Sequence, residues 1–90
     1  MSTAVWKFPV EAFDIAEVRM PQGAKILTAQ VQNGGLQVWA QCDPEAPLVT
    51  RYIGVAGTGH PRDDLNDATY IGTVQLFTGQ LVFHVFDMGE

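Results

Sequence analysis

Between Arg51 and Asp64 the chain collects arginine, tyrosine, two glycines flanking a threonine, a histidine, a proline, a second arginine and two aspartates. No other stretch holds so many groups able to bind an anion or move a proton. Glycines on either side of Thr58 let backbone N–H groups converge on a negative charge. Thr58 and His60 add side-chain donors, and Arg51 and Arg62 add charge. A phosphate-bearing small molecule suits that set. The stretch is not a Walker A loop, because no Lys-Ser or Lys-Thr follows Gly59. The competing explanation is a structural corner in which His60 caps a backbone carbonyl.

Other chemistries fit less well. His60 and His84 with Asp63 or Asp64 lack the spacing and the cysteine cluster of a zinc site, so no metal and no cofactor is expected. Cys42 falls on the apolar side of its segment, where a thiol behaves as a small hydrophobe rather than a nucleophile. Asp63, Asp64 and His60 could serve as general acids or bases. Adjacent acids in a loop are more often simply solvated, and the chain is not expected to be an enzyme. Trp39 and Tyr52 fall on the polar sides of their segments. They form either an aromatic platform for a base or a partner, joined by Trp6, or part of a second core layer. Both readings stay open.

The elements that must position these groups are short strands. The chain has 90 residues, a single-domain length that buries about 60–65% of its unfolded surface. Its 47% hydrophobic content is that of a globular protein. The one cysteine rules out an intrachain disulfide and fits a reducing cytosol. The first residues lack the basic start and apolar run of a signal peptide, and no apolar run is long enough for a membrane helix. Net charge is −5, and the five basic residues are scattered. Direct nucleic-acid binding is therefore disfavoured, and no membrane partner is expected.

Val5–Val10 alternates as a strand with Trp6 and Phe8 on one face, and Pro9 assigns it to an edge. Over Phe13–Met20, strand periodicity is preferred to helix, with Ala16, Val18 and Met20 sharing a face. Pro21–Ala24 reads as a turn. Lys25–Gln32 and Leu36–Cys42 form a hairpin around Asn33-Gly34-Gly35. Residues 43–47 make a loop, and Leu48–Ala56 a strand with Arg51, Ile53 and Val55 on one side. Gly57–Asn66 is the long loop. Ala68–Phe77 is a strand in which Gly72 marks a bulge or a close backbone approach. Leu81–Phe86 is apolar on both faces and so reads as a central strand. Asp87–Glu90 reads as a mobile polar tail. The predicted fold is all-β, a small antiparallel sandwich or open barrel of six to seven short strands.

Trp6-Lys7-Phe8-Pro9, Met20-Pro21-Gln22-Gly23-Ala24-Lys25-Ile26-Leu27, Trp39-Ala40, Asp43-Pro44, Gly57-Thr58-Gly59-His60-Pro61, Tyr70–Gln75 and Phe83-His84-Val85-Phe86 together span nearly the whole chain. In this combination the sequence resembles a family of short uncharacterised proteins of bacteriophages and mobile elements. The resemblance implies a phage setting and says nothing about catalytic residues; the host cytoplasm is the expected location. By analogy with small phage proteins, it suggests a non-catalytic counter-defence binder; the thin stability margin of so short a chain adds the expectation of a homo-oligomer. The expected ligand is a phosphate-bearing, nucleotide-type molecule held by Arg51, Thr58, Gly59, His60 and Arg62, with Trp39 and Tyr52 stacking on it. The alternative is a protein–protein inhibitor or virion-associated module using an acidic and aromatic surface against a host or phage protein.

Overall fold

A computed structural model describes residues 2–90. Seven strands run in chain order: β1 (Ala4–Pro9), β2 (Ile15–Pro21), β3 (Lys25–Gln32), β4 (Gly35–Cys42), β5 (Leu48–Gly57), β6 (Thr69–Leu76) and β7 (Leu81–Gly89). They build two antiparallel sheets packed together, one ordered β1-β4-β3 and the other β2-β5-β7-β6. Among the described residues, the two sheets do not close into a barrel. Among the described residues, no helix is long and apolar enough to cross a membrane.

Alternation decides which side of each strand is buried. Leu36, Val38, Ala40 and Cys42 of β4 face inward and meet Ala16, Val18 and Met20 of β2, Ile53 and Val55 of β5, and Val85 of β7 in one core. β4 and β7 are central strands; β1, with Pro9 at its end, is an edge. The β3–β4 hairpin turns on Asn33 and Gly34, at φ 53° and 78°. Two consecutive left-handed residues give a turn whose twist matches the strands, and Asn-Gly tolerates it best.

Gly72 has both of its expected roles. The β6–β7 register shifts between Tyr70 and Gly72. A Cβ at Gly72 would also lie 3.5 Å from the Ala29 carbonyl, where β6 approaches β3 across the corner between the sheets.

The C-terminus corrects the reading of a mobile polar tail. β7 continues through Asp87, Met88 and Gly89, and its two carboxylates have partners. Arg51 Nη1 donates to Asp87 Oδ2 at 3.0 Å and Arg51 Nη2 donates to the Ala24 carbonyl at 2.6 Å. Glu90 Oε2 accepts from Gly23 N at 2.6 Å and lies 3.4 Å from Arg51 Nη2. A segment that looks too polar for a core is held because a buried guanidinium on the neighbouring strand needs its charge.

Candidate functional site

The 57–66 loop folds back over the outer face of the four-stranded sheet. Two local features fix its path. Gly57-Thr58-Gly59-His60 is a β-turn closed by His60 N donating to the Gly57 carbonyl at 3.3 Å. Gly59 sits at φ 86°, the third-position geometry of a type II turn, which a β-carbon disfavours. A single 3-10 turn, Asp63–Leu65, follows and puts Leu65 down onto the sheet, where it is buried.

Arg62 fastens this loop to the strands. Its Nε and Nη2 donate to the two oxygens of Asp64 at 2.9 Å each. Nη1 donates to the Val55 carbonyl and Nη2 to the Asp14 carbonyl, both at 2.9 Å. β2 begins only at Ile15, so the guanidinium serves backbone acceptors where that ladder ends. The hydrogen bond from Arg62 is the main cause that holds the Asp64 carboxyl below the usual carboxylate range.

Under the loop lies a cleft of ≈ 360 Å³. Ala56, His84 and Phe86 form its floor; Gly57–His60 form one wall; Arg62, Leu65 and Asn66 close the other. His84 projects outward from β7, and both ring nitrogens are engaged. Nε2 is 2.7 Å from Thr58 Oγ1 and Nδ1 is 2.9 Å from Thr73 Oγ1. Thr73 Oγ1 is in turn 2.7 Å from Tyr70 OH. Tyr70 packs edge-on against Phe86 with ring centroids 5.6 Å apart. A chain of hydroxyl, imidazole, hydroxyl and phenol thus runs from the loop to the edge strand. Each member can donate or accept.

The residues expected to act together divide into three groups. Thr58, Gly59, His60 and Arg62 do line one cleft. Arg51 does not: it points to the inner side of β5, is 5% exposed, and is engaged by Asp87 and Glu90. Position 51 is also about 20 Å along the strand from position 57. Trp39 and Tyr52 lie on the outward faces of different sheets, each opposite to buried neighbours in its own strand, so they cannot form one platform. The remaining arginine in the cleft is occupied by Asp64, and the surroundings add Asp14, Asp63 and Asp67. Residues unmarked by sequence reasoning complete the site: Asn66, Phe86, Thr73 and Tyr70. The outward alternation of β7 was the available signal, since it puts His84 and Phe86 on one face; the partners from β6 depend on a bulge. Among the described residues, no three His, Cys, Asp or Glu side chains come together to hold a metal.

No curated protein and no solved structure matches this chain. A family profile does, over residues 1–90, and its description is "Domain of unknown function (DUF7352)". The chain therefore belongs to that uncharacterised family.

Proposed function

We propose that this chain is a non-catalytic binding module that captures a small nucleotide-type ligand in the cleft beneath the 57–66 loop. The observation that carries the reading is the cleft itself: a concave site with Phe86 as apolar floor and convergent polar groups from Thr58, His60, His84 and Asn66. Charge shapes the mode of binding. Arg51 is remote and Arg62 is neutralised, so the base or sugar of the ligand is held more firmly than its phosphate. His60 and the glycine turn are left to meet the anionic end.

Binding is favoured over turnover by the surroundings of His84. Thr58 Oγ1 beside His84 Nε2 has the spacing of a nucleophile and its base. The other nitrogen, however, meets the Thr73 hydroxyl and not a carboxylate. An imidazolium formed there gains no compensating charge. The resemblance to phage and mobile-element proteins supports a counter-defence setting in the host cytoplasm, where sequestering a signalling nucleotide would be useful.

Calorimetric titration with cyclic and ADP-ribose-type nucleotides tests this. One member of the panel should bind stoichiometrically, and Thr58→Val and His84→Ala should each weaken it while the fold is retained. Unchanged binding in His84→Ala would sink the reading.

A second reading has its own observation. Phe13, Ile15, Tyr52 and Tyr70 are 63%, 45%, 39% and 57% exposed. Ile15, Tyr52 and Tyr70 lie on the outward side of the four-stranded sheet, beside Glu17. An exposed apolar and aromatic surface of this kind, with Glu17 and Arg19 both on it, suits a protein partner or self-association. Native mass spectrometry that finds a complex or oligomer, together with indifference to every nucleotide, would favour it.

A further inference from the structure

The outward face of the three-stranded sheet lies away from the cleft, and its chemistry differs from the rest of the chain. Strands β1, β3 and β4 contain Lys7 and Lys25 and no aspartate or glutamate. The whole chain is −5, so this sheet carries two positive charges and the remainder carries −7. Among the described residues neither lysine is paired with a carboxylate. Lys7 Nζ donates only to the neutral amide of Gln32, at 2.6 Å.

The register sets Trp39 between Lys7 on β1 and Thr28 on β3, and Gln41 between Val5 and Lys25. Along β4, Gln37 and Gln41 flank the indole on the same face. Gln37 Oε1 is buried and has no hydrogen-bond partner. At one end of the face, Gln41 and Lys25 also line a second cavity of ≈ 520 Å³, together with Ser2, Thr3, Gln22 and one carboxylate, Asp43, so the positive charge there belongs to the Lys25 side. Platform and cavity share residues, so they form one continuous surface.

We propose that this surface binds a carboxylate-bearing glycan chain, laid along β4 from Trp39 into the cavity beside Lys25. A pyranose ring has an apolar C–H face and a rim of hydroxyls. The indole offers a flat apolar surface to the first. Side-chain amides, which both donate and accept, match the second, with Gln41 at the edge of the cavity. The two unpaired lysines answer the carboxylates, and the charge asymmetry orients the encounter. An acidic peptide would use the lysines and leave the indole and amides idle. A nucleic-acid strand draws on more cations and on successive aromatic stacks. The proposal is independent of the small-ligand cleft, which shares none of these residues.

Affinity electrophoresis of the intact chain through gels containing alginate tests it, with dextran, polyglutamate and oligothymidylate as parallel arms. Alginate should retard the protein more than dextran or polyglutamate does. The Lys7→Gln/Lys25→Gln variant removes two exposed charges and one exposed hydrogen bond to Gln32, and should weaken retardation roughly tenfold. Trp39→Ala, shown to be folded by its thermal melt, should do the same. No retardation by alginate overturns the proposal. So does equal retardation by polyglutamate, which would mean the face reads charge alone, or stronger retardation by oligothymidylate, which would make it a nucleic-acid surface.

Discussion

Leu65 occupies the space above Gly54: a Cβ built on Gly54 would fall 2.5 Å from Leu65 Cδ2 and 3.1 Å from Met88 Sδ. The long loop docks on the sheet through this contact, so the small residue in the strand and the apolar residue in the loop are a matched pair. Gly54→Ala should cost about 1–2 kcal/mol by overpacking. Leu65→Ala should relieve much of that cost in the double variant, giving a coupling energy that urea denaturation of the four-member cycle will measure. Additive losses would mean the loop moves aside without a preferred seat.

Arg62 should govern the order of the loop more than the stability of the sheets. Removing its side chain takes this donor from the Val55 carbonyl and one of two donors from the Asp14 carbonyl, which keeps Val55 N at 3.0 Å. Arg62→Ala should cost about 1–2 kcal/mol. Amide exchange should quicken across residues 57–66 and stay slow in β4 and β7. Arg62→Lys should not restore it, because an ammonium cannot span a carboxylate and two carbonyls with a fixed fork.

The same contact has a pH signature. The side-chain hydrogen bond from Arg62 holds the Asp64 carboxyl low, and Arg62's charge adds to it. A carboxyl lowered in the folded state contributes stability that is fully present above the unfolded value of ~3.9 and is lost as pH falls through the folded value. Wild type should therefore melt above Asp64→Asn at neutral pH, and the gap should close on acidification below about pH 4. A gap independent of pH would assign the contact to shape and not to charge.

Cys42 should be inert while the domain is folded. Burial pushes its thiol up, and neighbouring Asp43 adds to the shift. A thiolate is the reactive form, so a thiol reagent at pH 7–8 should react slowly with native protein and quickly in denaturant. Rapid labelling of the native state would show that the end of β4 opens.

Much of the architecture is legible in the sequence because burial alternates cleanly in β2 and β4. Ala16, Val18 and Met20, then Leu36, Val38, Ala40 and Cys42, mark the inner faces, and Asn33-Gly34 marks the hairpin. Gly72 signals the bulge because a missing side chain inside a β-rich run needs a reason. The site is only half legible. Gly57–Arg62 stands out by residue type, but alternation says which side of a strand a residue occupies and not which sheet the strand joins. Whether Trp39 and Tyr52 are neighbours therefore stays open in the sequence. Arg51 looked available because its partners are 36 and 39 positions away in sequence. Asp87 and Glu90 looked like a solvated tail for the same reason. A long-range ion pair leaves no local pattern in either segment.

That ion pair supplies the test separating position 51 from the cleft. Side-chain exposure is 6% for Arg51 and 22% for Asp87, so the pair is largely withdrawn from water. Arg51→Ala strands Asp87 beside an emptied volume and should cost about 3–5 kcal/mol. Arg51→Met keeps most of the volume and should cost less, and adding Asp87→Asn should recover part of the remainder by removing the stranded charge. Glu90→Gln keeps an acceptor for Gly23 N and should matter little. Any ligand found for the 57–66 cleft should bind Arg51→Met as it binds wild type, provided the variant is folded. Titration and thermal melting on the same samples will distinguish the two roles: loss of binding with an unchanged melt would return Arg51 to the ligand, and a lowered melt with intact binding would fix it as the clamp that holds the end of β7.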